Sequence, residues 1–111
     1  MLHTGFLSET GYGSEEYSGT HPQLSRQLID SLLDRKVSMI GIDAAGIRRA
    51  GEHTQTDQYC ADRGVFVVEN MANLDRLYSA AGGAGFTVYT FPMNLHGSTG
   101  LPCRVIAEVQ P

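Results

Sequence analysis

Two carboxylates that follow apolar runs are the first residues in this sequence whose positions suggest chemistry. Asp43 follows the run at residues 37–42, and Glu69 follows the run at residues 65–68. Both runs are short and rich in β-branched residues, which predicts buried strands. If these strands are parallel neighbours, both carboxylates lie at the carboxyl edge of one sheet, where ligands usually bind. A carboxylate there can bind a cation, or act as a base if burial raises its pKa.

Each carboxylate could instead cap the helix or loop that follows its strand. From spacing alone, both roles stay open for Glu69, and the structural role is favoured for Asp43.

His53 and Asp57 form a second candidate, four residues apart at the start of a predicted helix. This spacing can present both side chains to one metal ion, or let the carboxylate orient the imidazole. A solvated surface pair is the commoner result of the same spacing. The other histidines, His3, His21 and His96, fall in a predicted strand, at a predicted helix cap and in a predicted loop, where histidine is more often structural or exposed.

The two cysteines, Cys60 and Cys103, fall in different predicted elements, one on the inward face of a helix and one in a strand. Without a CxxC pair or a secretory segment, reduced thiols in the cytoplasm are expected. Both are predicted to be small core residues, and a thiol enzyme that uses Cys60 is the weakest of the alternatives.

The order of predicted helices and strands indicates an α/β protein with a layered mixed sheet and flanking helices. A long surface loop is expected at residues 5–20, and Gly64 should end the second helix in a left-handed conformation. The predicted helices are residues 22–35, residues 55–63 with Thr54 as cap, and a third capped by Asn70 or Asn73; the predicted strands are residues 1–4, 37–42, 65–68, 86–91 and 103–109.

Composition narrows the classes of function. The 111 residues, of which 41% are hydrophobic, suit a single domain with a modest core. The net charge of -4 and the absence of any long basic run argue against nucleic-acid binding. No apolar run approaches the length of a membrane span. Small-molecule or protein partners are therefore expected.

A succession of short motifs resembles the C-terminal half of the cyclase family of metal-dependent hydrolases, which includes the bacterial kynurenine formamidases. The resemblance covers essentially the whole chain, and the order of the motifs is more specific than any one of them. The motifs are Thr4-Gly5-Phe6, His21-Pro22, Ile40-Gly41-Ile42-Asp43, Glu52-His53 with Asp57-Gln58-Tyr59-Cys60, Val68-Glu69-Asn70 with Asn73-Leu74, Phe91-Pro92-Met93 and Gly100-Leu101-Pro102-Cys103-Arg104.

The resemblance implies a swivelling β/β/α fold and hydrolysis of a formamide or cyclic amide by a metal-activated water, with zinc or manganese. Glu69 matches a metal-ligand glutamate of the family. Twelve positions earlier, where the family has a histidine, this chain has Asp57, and His53 lies one helical turn before it. The resemblance therefore implies Glu69 and Asp57 as metal ligands, with His53 or Asp57 in the catalytic role of that histidine.

The family's N-terminal half, with its histidine- and aspartate-rich metal motif, is not among these residues. The chain is thus expected to be a C-terminal fragment or one half of a split enzyme, with weak metal binding on its own. Its expected small-molecule partner is an amide substrate. Its expected protein partner is either a complementary N-terminal half or further copies of itself. Self-association is expected because the missing half leaves a sheet edge and an apolar surface uncovered. The alternative is a non-catalytic α/β subunit or interaction module that kept the fold.

Overall fold

The computed structural model describes residues 1–110, and the chain divides into two compact units, Met1–Ala72 and a second that begins at Asn73. Helices and strands both occur, which confirms the α/β class. No helix in the described part of the chain has the length and hydropathy of a membrane span. The helices are α1 (Phe6–Thr10), α2 (Glu15–Thr20), α3 (Arg26–Asp34), α4 (His53–Ala61) and α5 (Leu74–Ala81); the strands are β1 (Met39–Gly41), β2 (Phe66–Val68), β3 (Phe86–Pro92) and β4 (Cys103–Val109).

The first unit is built on the parallel pair β1 and β2, in the register Met39 to Phe66 and Gly41 to Val68. Parallel strands need a crossover connection, and α4 supplies it. The predicted runs thus form parallel neighbours, although each strand has only three residues. The predicted strand at residues 1–4 is reduced to a single parallel bridge between Leu2 and Ile42. The buried core of this unit consists of Ile29, Leu33, Ile40, Ile42, Ala44, Ile47, Cys60 and Val65.

The surface loop predicted at residues 5–20 is wrong, because this segment forms α1 and α2. The Ser14 hydroxyl accepts a hydrogen bond from the Tyr17 amide and so caps α2. Three glycines with positive φ, Gly5 before α1 and Gly11 and Gly13 between α1 and α2, give the segment the composition of a loop. Each helix is only five or six residues long, and Tyr17 is their one buried residue, so no helical periodicity was visible.

Helix α3 begins at Arg26, not at Pro22 as predicted. The Ser25 hydroxyl accepts from the Leu28 amide and is the N-cap. The residues before Ser25 do not join the helix, because the Leu24 amide donates to the carbonyl oxygen of Ile47 in the connector before α4. His21 does not cap a helix start: it follows α2, is 1% exposed, and its Nδ1 donates to the Pro22 carbonyl oxygen.

Helix α4 begins at His53, two residues before the predicted start, and Thr54 is not its cap. Glu52 occupies the N-cap position without a side-chain bond, and the His53 amide donates to the carbonyl oxygen of Arg49. Two other expectations for this helix are confirmed: Gly64 has a φ of 74°, and Cys60 is 0% exposed in the core.

The second unit consists of α5 and an antiparallel hairpin of β3 and β4, in the register Phe86 to Val109 and Pro92 to Cys103. Both predicted strands are found, and Gly82 ends α5 in the left-handed region. The Tyr78 ring packs edge-to-face on Phe86. Within residues 1–110 the strands thus form two separate two-stranded sheets, not the single mixed sheet predicted. Strands that are neighbours in sequence commonly pair with each other as an antiparallel hairpin.

Candidate metal centre

The crossover brings His53 and Glu69 together although they are 16 positions apart in sequence. In a strand–helix–strand unit the helix runs antiparallel to its strands, so the first residue of α4 lies beside the carboxyl end of β2. Glu69 directly follows β2. Asp57, one helical turn after His53, points toward the same place. The ligand atoms of these three side chains lie within 4.8 Å of one another.

His53 is the centre of this cluster. Its Nε2 donates a hydrogen bond to Oε1 of Glu69 at 2.6 Å and lies 3.7 Å from Oδ2 of Asp57. All three side chains are partly exposed, by 34% for His53, 33% for Asp57 and 25% for Glu69. The cluster is thus open to solvent on one side, where an ion or a substrate can reach it.

Asp57 is the strained member of the cluster. Its Oδ1 is buried and has no hydrogen-bond partner among residues 1–110, which is costly for a carboxylate. Burial raises the pKa of the Asp57 carboxyl, the positive charge of a protonated His53 lowers it in part, and Glu69 raises it further. A cation at the cluster would relieve both the missing partner and the repulsion between the two carboxylates.

The backbone at Gly46 packs closely against the cluster. A Cβ at this position would be 2.6 Å from Cδ2 of His53 and 3.0 Å from Oε1 of Glu69. The φ of Gly46 is 129°, which L side chains rarely adopt. The connector before α4 therefore approaches the imidazole as closely as a backbone can, and only glycine fits there.

The donor set suits zinc or manganese. One imidazole nitrogen and carboxylate oxygens are ordinary ligands of both ions. The unpartnered Oδ1 of Asp57 is the observation that favours an ion over a simple surface ion pair. A metal ion bound at Nε2 of His53 would replace the hydrogen bond that this atom donates to Glu69.

Asp43 is not part of this cluster. Its Oδ1 accepts from the amide and the hydroxyl of Thr4, and its Oδ2 accepts from the amide of Gly5. The residue is 4% exposed, and Nε2 of His3 lies 3.8 Å from Oδ2. Asp43 thus fastens the N-terminal segment and the start of α1 to the end of β1, which matches the structural role favoured for it.

Replacing Asp43 by asparagine should lower the free energy of unfolding by about 2–3 kcal/mol, because an amide NH₂ cannot accept from these donors and leaves buried groups unpaired. Urea unfolding followed by circular dichroism measures the change. Asp34→Asn, at an exposed position in α3, is the matched control and should change it by less than about 0.5 kcal/mol. Equal stability of both variants would contradict the role given to Asp43.

Sequence reasoning missed one supporting contact. The Tyr17 hydroxyl donates to Oδ1 of Asn70 at 2.7 Å, and so holds the residue that follows Glu69. Burial, and to a lesser degree Asp43, raises the pKa of Tyr17 to about 12, so the phenol stays a neutral donor at physiological pH. Asn70 has a φ of 56°, and its side chain does not start a helix; Asn73 occupies the N-cap position of α5. Motif spacing gives no signal for a contact across 53 positions.

Replacing Asp57 by asparagine should stabilise the metal-free chain by roughly 0.5–1 kcal/mol at pH 7. The substitution removes a carboxylate charge that burial and the charge of Glu69 disfavour. A carboxyl whose pKa is raised on folding favours the folded state when protonated, so its contribution is present at acid pH and is lost as the pH rises through the raised pKa. Asparagine does not titrate, so the stability of the variant should not fall with rising pH for this reason. Urea unfolding of both proteins in chelator, from pH 4 to 8, measures it, and a variant less stable than the parent at pH 7 would refute the prediction.

Comparisons of this chain with protein-family models, with curated proteins and with solved structures found no match. The function is therefore argued from the geometry of the cluster and from the resemblance of its motifs.

Proposed function

We propose that this chain carries part of the metal centre of a cyclase-type hydrolase that cleaves the C–N bond of a formamide or a cyclic amide. The observation that supports the proposal is the meeting of His53, Asp57 and Glu69, whose ligand atoms lie within 4.8 Å. The same three residues fall in the motifs that resemble the cyclase family. Two free thiols, Cys60 and Cys103, favour a reducing compartment such as the cytoplasm.

Glu69 and Asp57 take the role of metal ligands in this proposal. A zinc or manganese ion held by them would supply a Lewis acid for the amide carbonyl and lower the pKa of a water nucleophile. The two carboxylates also offset the charge of the ion, which Asp57 does at little further cost because its Oδ1 already lacks a partner.

His53 is a ligand or the proton carrier. Its Nε2 faces both carboxylates, which fixes the orientation of the ring. Hydrolysis adds the water oxygen to the carbonyl carbon, breaks the C–N bond and requires a proton on the leaving nitrogen. Holding that proton at Nε2 until the nitrogen departs is a task that the position of His53 suits.

Two or three protein ligands within one chain leave the rest of the coordination sphere to another source. In this proposal a complementary N-terminal half supplies it, together with the remaining walls of the substrate pocket. Metal binding by the chain alone should then be weak, and hydrolysis should require both parts.

Titration calorimetry with zinc and with manganese tests the first part of the proposal, and assays on aryl formamides and small cyclic amides test the second. The expected result is weak binding of one ion per chain, and tighter binding with measurable hydrolysis after mixing with the N-terminal half of a cyclase-family enzyme. No metal uptake by the mixture would overturn the proposal.

The second candidate is a non-catalytic subunit that kept the fold. The 2.6 Å hydrogen bond between His53 and Glu69 favours it, because the two side chains satisfy each other without an ion. In that case replacing Glu69 should cost stability and leave metal content unchanged, which separates the two candidates.

A further inference from the structure

One face of the β3–β4 hairpin, the hairpin outer face, is exposed along its whole length. Burial alternates along β4 and along β3 as far as Phe91, so the side chains of one face are partly buried and those of the other are open to solvent. Directly paired residues of an antiparallel ladder lie on the same face. The outer face therefore consists of Thr87 beside Glu108, Tyr89 beside Ile106, and Phe91 beside Arg104.

This face carries large apolar side chains that folding has not buried. Tyr89 is 44% exposed, Phe91 56% and Ile106 51%. Single exposed apolar residues are ordinary, whereas a contiguous patch of them usually marks a contact with a partner. The connection between the strands adds more exposed apolar side chains, namely Met93, Leu95 and Leu101.

The charges on the face are arranged symmetrically about its centre. On β4, Arg104 lies two residues before Ile106 and Glu108 lies two residues after it, all on the outer face. The Tyr89 hydroxyl donates to Oε2 of Glu108 at 2.8 Å, which holds that carboxylate over the face. A two-fold axis that crosses both strands at the Tyr89–Ile106 pair reverses the strand direction, and so brings Arg104 of one copy opposite Glu108 of the other.

We propose that the hairpin outer face is the contact between two copies of this chain, packed face to face about this two-fold axis. Tyr89, Phe91 and Ile106 form the apolar centre, and two Arg104–Glu108 pairs close its ends. A two-fold contact requires a self-complementary patch, and the pattern positive, apolar, negative along β4 meets that requirement. A partner of a different sequence would not need this symmetry, so a second copy is the occupant that the pattern favours.

The size of the face sets the expected strength of the dimer. Two paired strands of seven residues cover roughly 24 Å by 10 Å, which is well below the area of a standard specific interface and typical of a weak, transient contact. The dimer should therefore be reversible, with a dissociation constant in the micromolar range, and should weaken as salt screens the end pairs.

Sedimentation equilibrium of the full chain, from about 1 to 500 μM, tests the proposal. Arg104→Glu and Glu108→Arg should each weaken the dimer at least about tenfold, since each places like charges opposite one another at both ends. The double variant restores opposite charges with the signs exchanged, and should recover to within about threefold of the parent. Arg76→Glu, at an exposed position on α5, is the control and should have no effect.

Ile106→Glu, at a half-exposed position that tolerates a polar side chain in the monomer, should leave only monomer, with circular dichroism showing that the fold is kept. A parent chain that stays monomeric over the whole range would overturn the proposal. So would a double variant no stronger than either single one, or a dimer that Ile106→Glu leaves intact.

Discussion

Replacing Glu69 by glutamine is expected to lower the affinity of the chain for zinc or manganese by about 100-fold or more and to leave the fold intact. Loss of a group that merely orients a metal ligand already costs 10- to 100-fold, and this change removes a charged ligand itself. The glutamine amide oxygen can still accept from Nε2 of His53, so the hydrogen bond that joins α4 to the end of β2 persists. Metal affinity and stability should therefore respond separately.

Glu52→Gln is the matched control, because Glu52 is the residue before His53 and makes the same kind of carboxylate contact, to Arg48. It should leave metal affinity unchanged within about twofold, since an exposed ion pair contributes little. Titration calorimetry gives the affinities and urea unfolding the stabilities. If Glu69→Gln lowered stability and both variants bound metal like the parent, the metal-centre proposal would fail and the non-catalytic subunit would be favoured.

Replacing Gly46 by alanine is expected to have the largest effect on stability, a loss of about 2–6 kcal/mol in the free energy of unfolding. The φ of 129° is strained for any residue with a Cβ, at a cost of order 1–3 kcal/mol. The new Cβ would also lie 2.6 Å from the imidazole of His53, and relieving that overlap costs a further 1–3 kcal/mol in typical overpacked sites. If the imidazole moves instead, the stability loss shrinks but His53 leaves Glu69, so metal affinity should fall in either case.

Gly51→Ala provides the control for this experiment. Gly51 belongs to the same connector before α4, has no positive φ, and has no atom within 4 Å of the position of a new Cβ. This variant should change stability by less than about 0.5 kcal/mol. Equal stability and equal metal affinity of the two alanine variants would show that the close approach of Gly46 has no role.

Motif reasoning indicated which side chains meet in the cluster better than it indicated the backbone that holds them. The predicted parallel pairing of two apolar runs places Glu69 at the carboxyl edge of β2, and helical spacing joins Asp57 to His53. Both inferences rest on local periodicity, which sequence displays directly. Asp43 shows the limit of that reasoning, because the same edge position serves there to hold Thr4 and Gly5.

Gly46 could not be predicted, because its role depends on a close approach between a connector and a helix that no spacing rule encodes. The same holds for the helices within residues 5–20, whose shortness hides any period. The start of α3 was misplaced for a related reason. Pro22 is a good first residue of a helix by its own conformation, but the pairing of Leu24 with the connector at Ile47 decides against it.

The distribution of the two cysteines gives each compact unit a reporter of its own opening. Cys60 is fully enclosed in the core of the first unit, and burial raises the pKa of its thiol, whereas Cys103 is only partly covered in β4 of the second unit. A thiol reagent in solution can therefore reach Cys103 after small fluctuations of the hairpin, but Cys60 only after the first unit opens. The rates of labelling at the two positions report the local stabilities of the two units separately, in the unmodified chain and without an added probe.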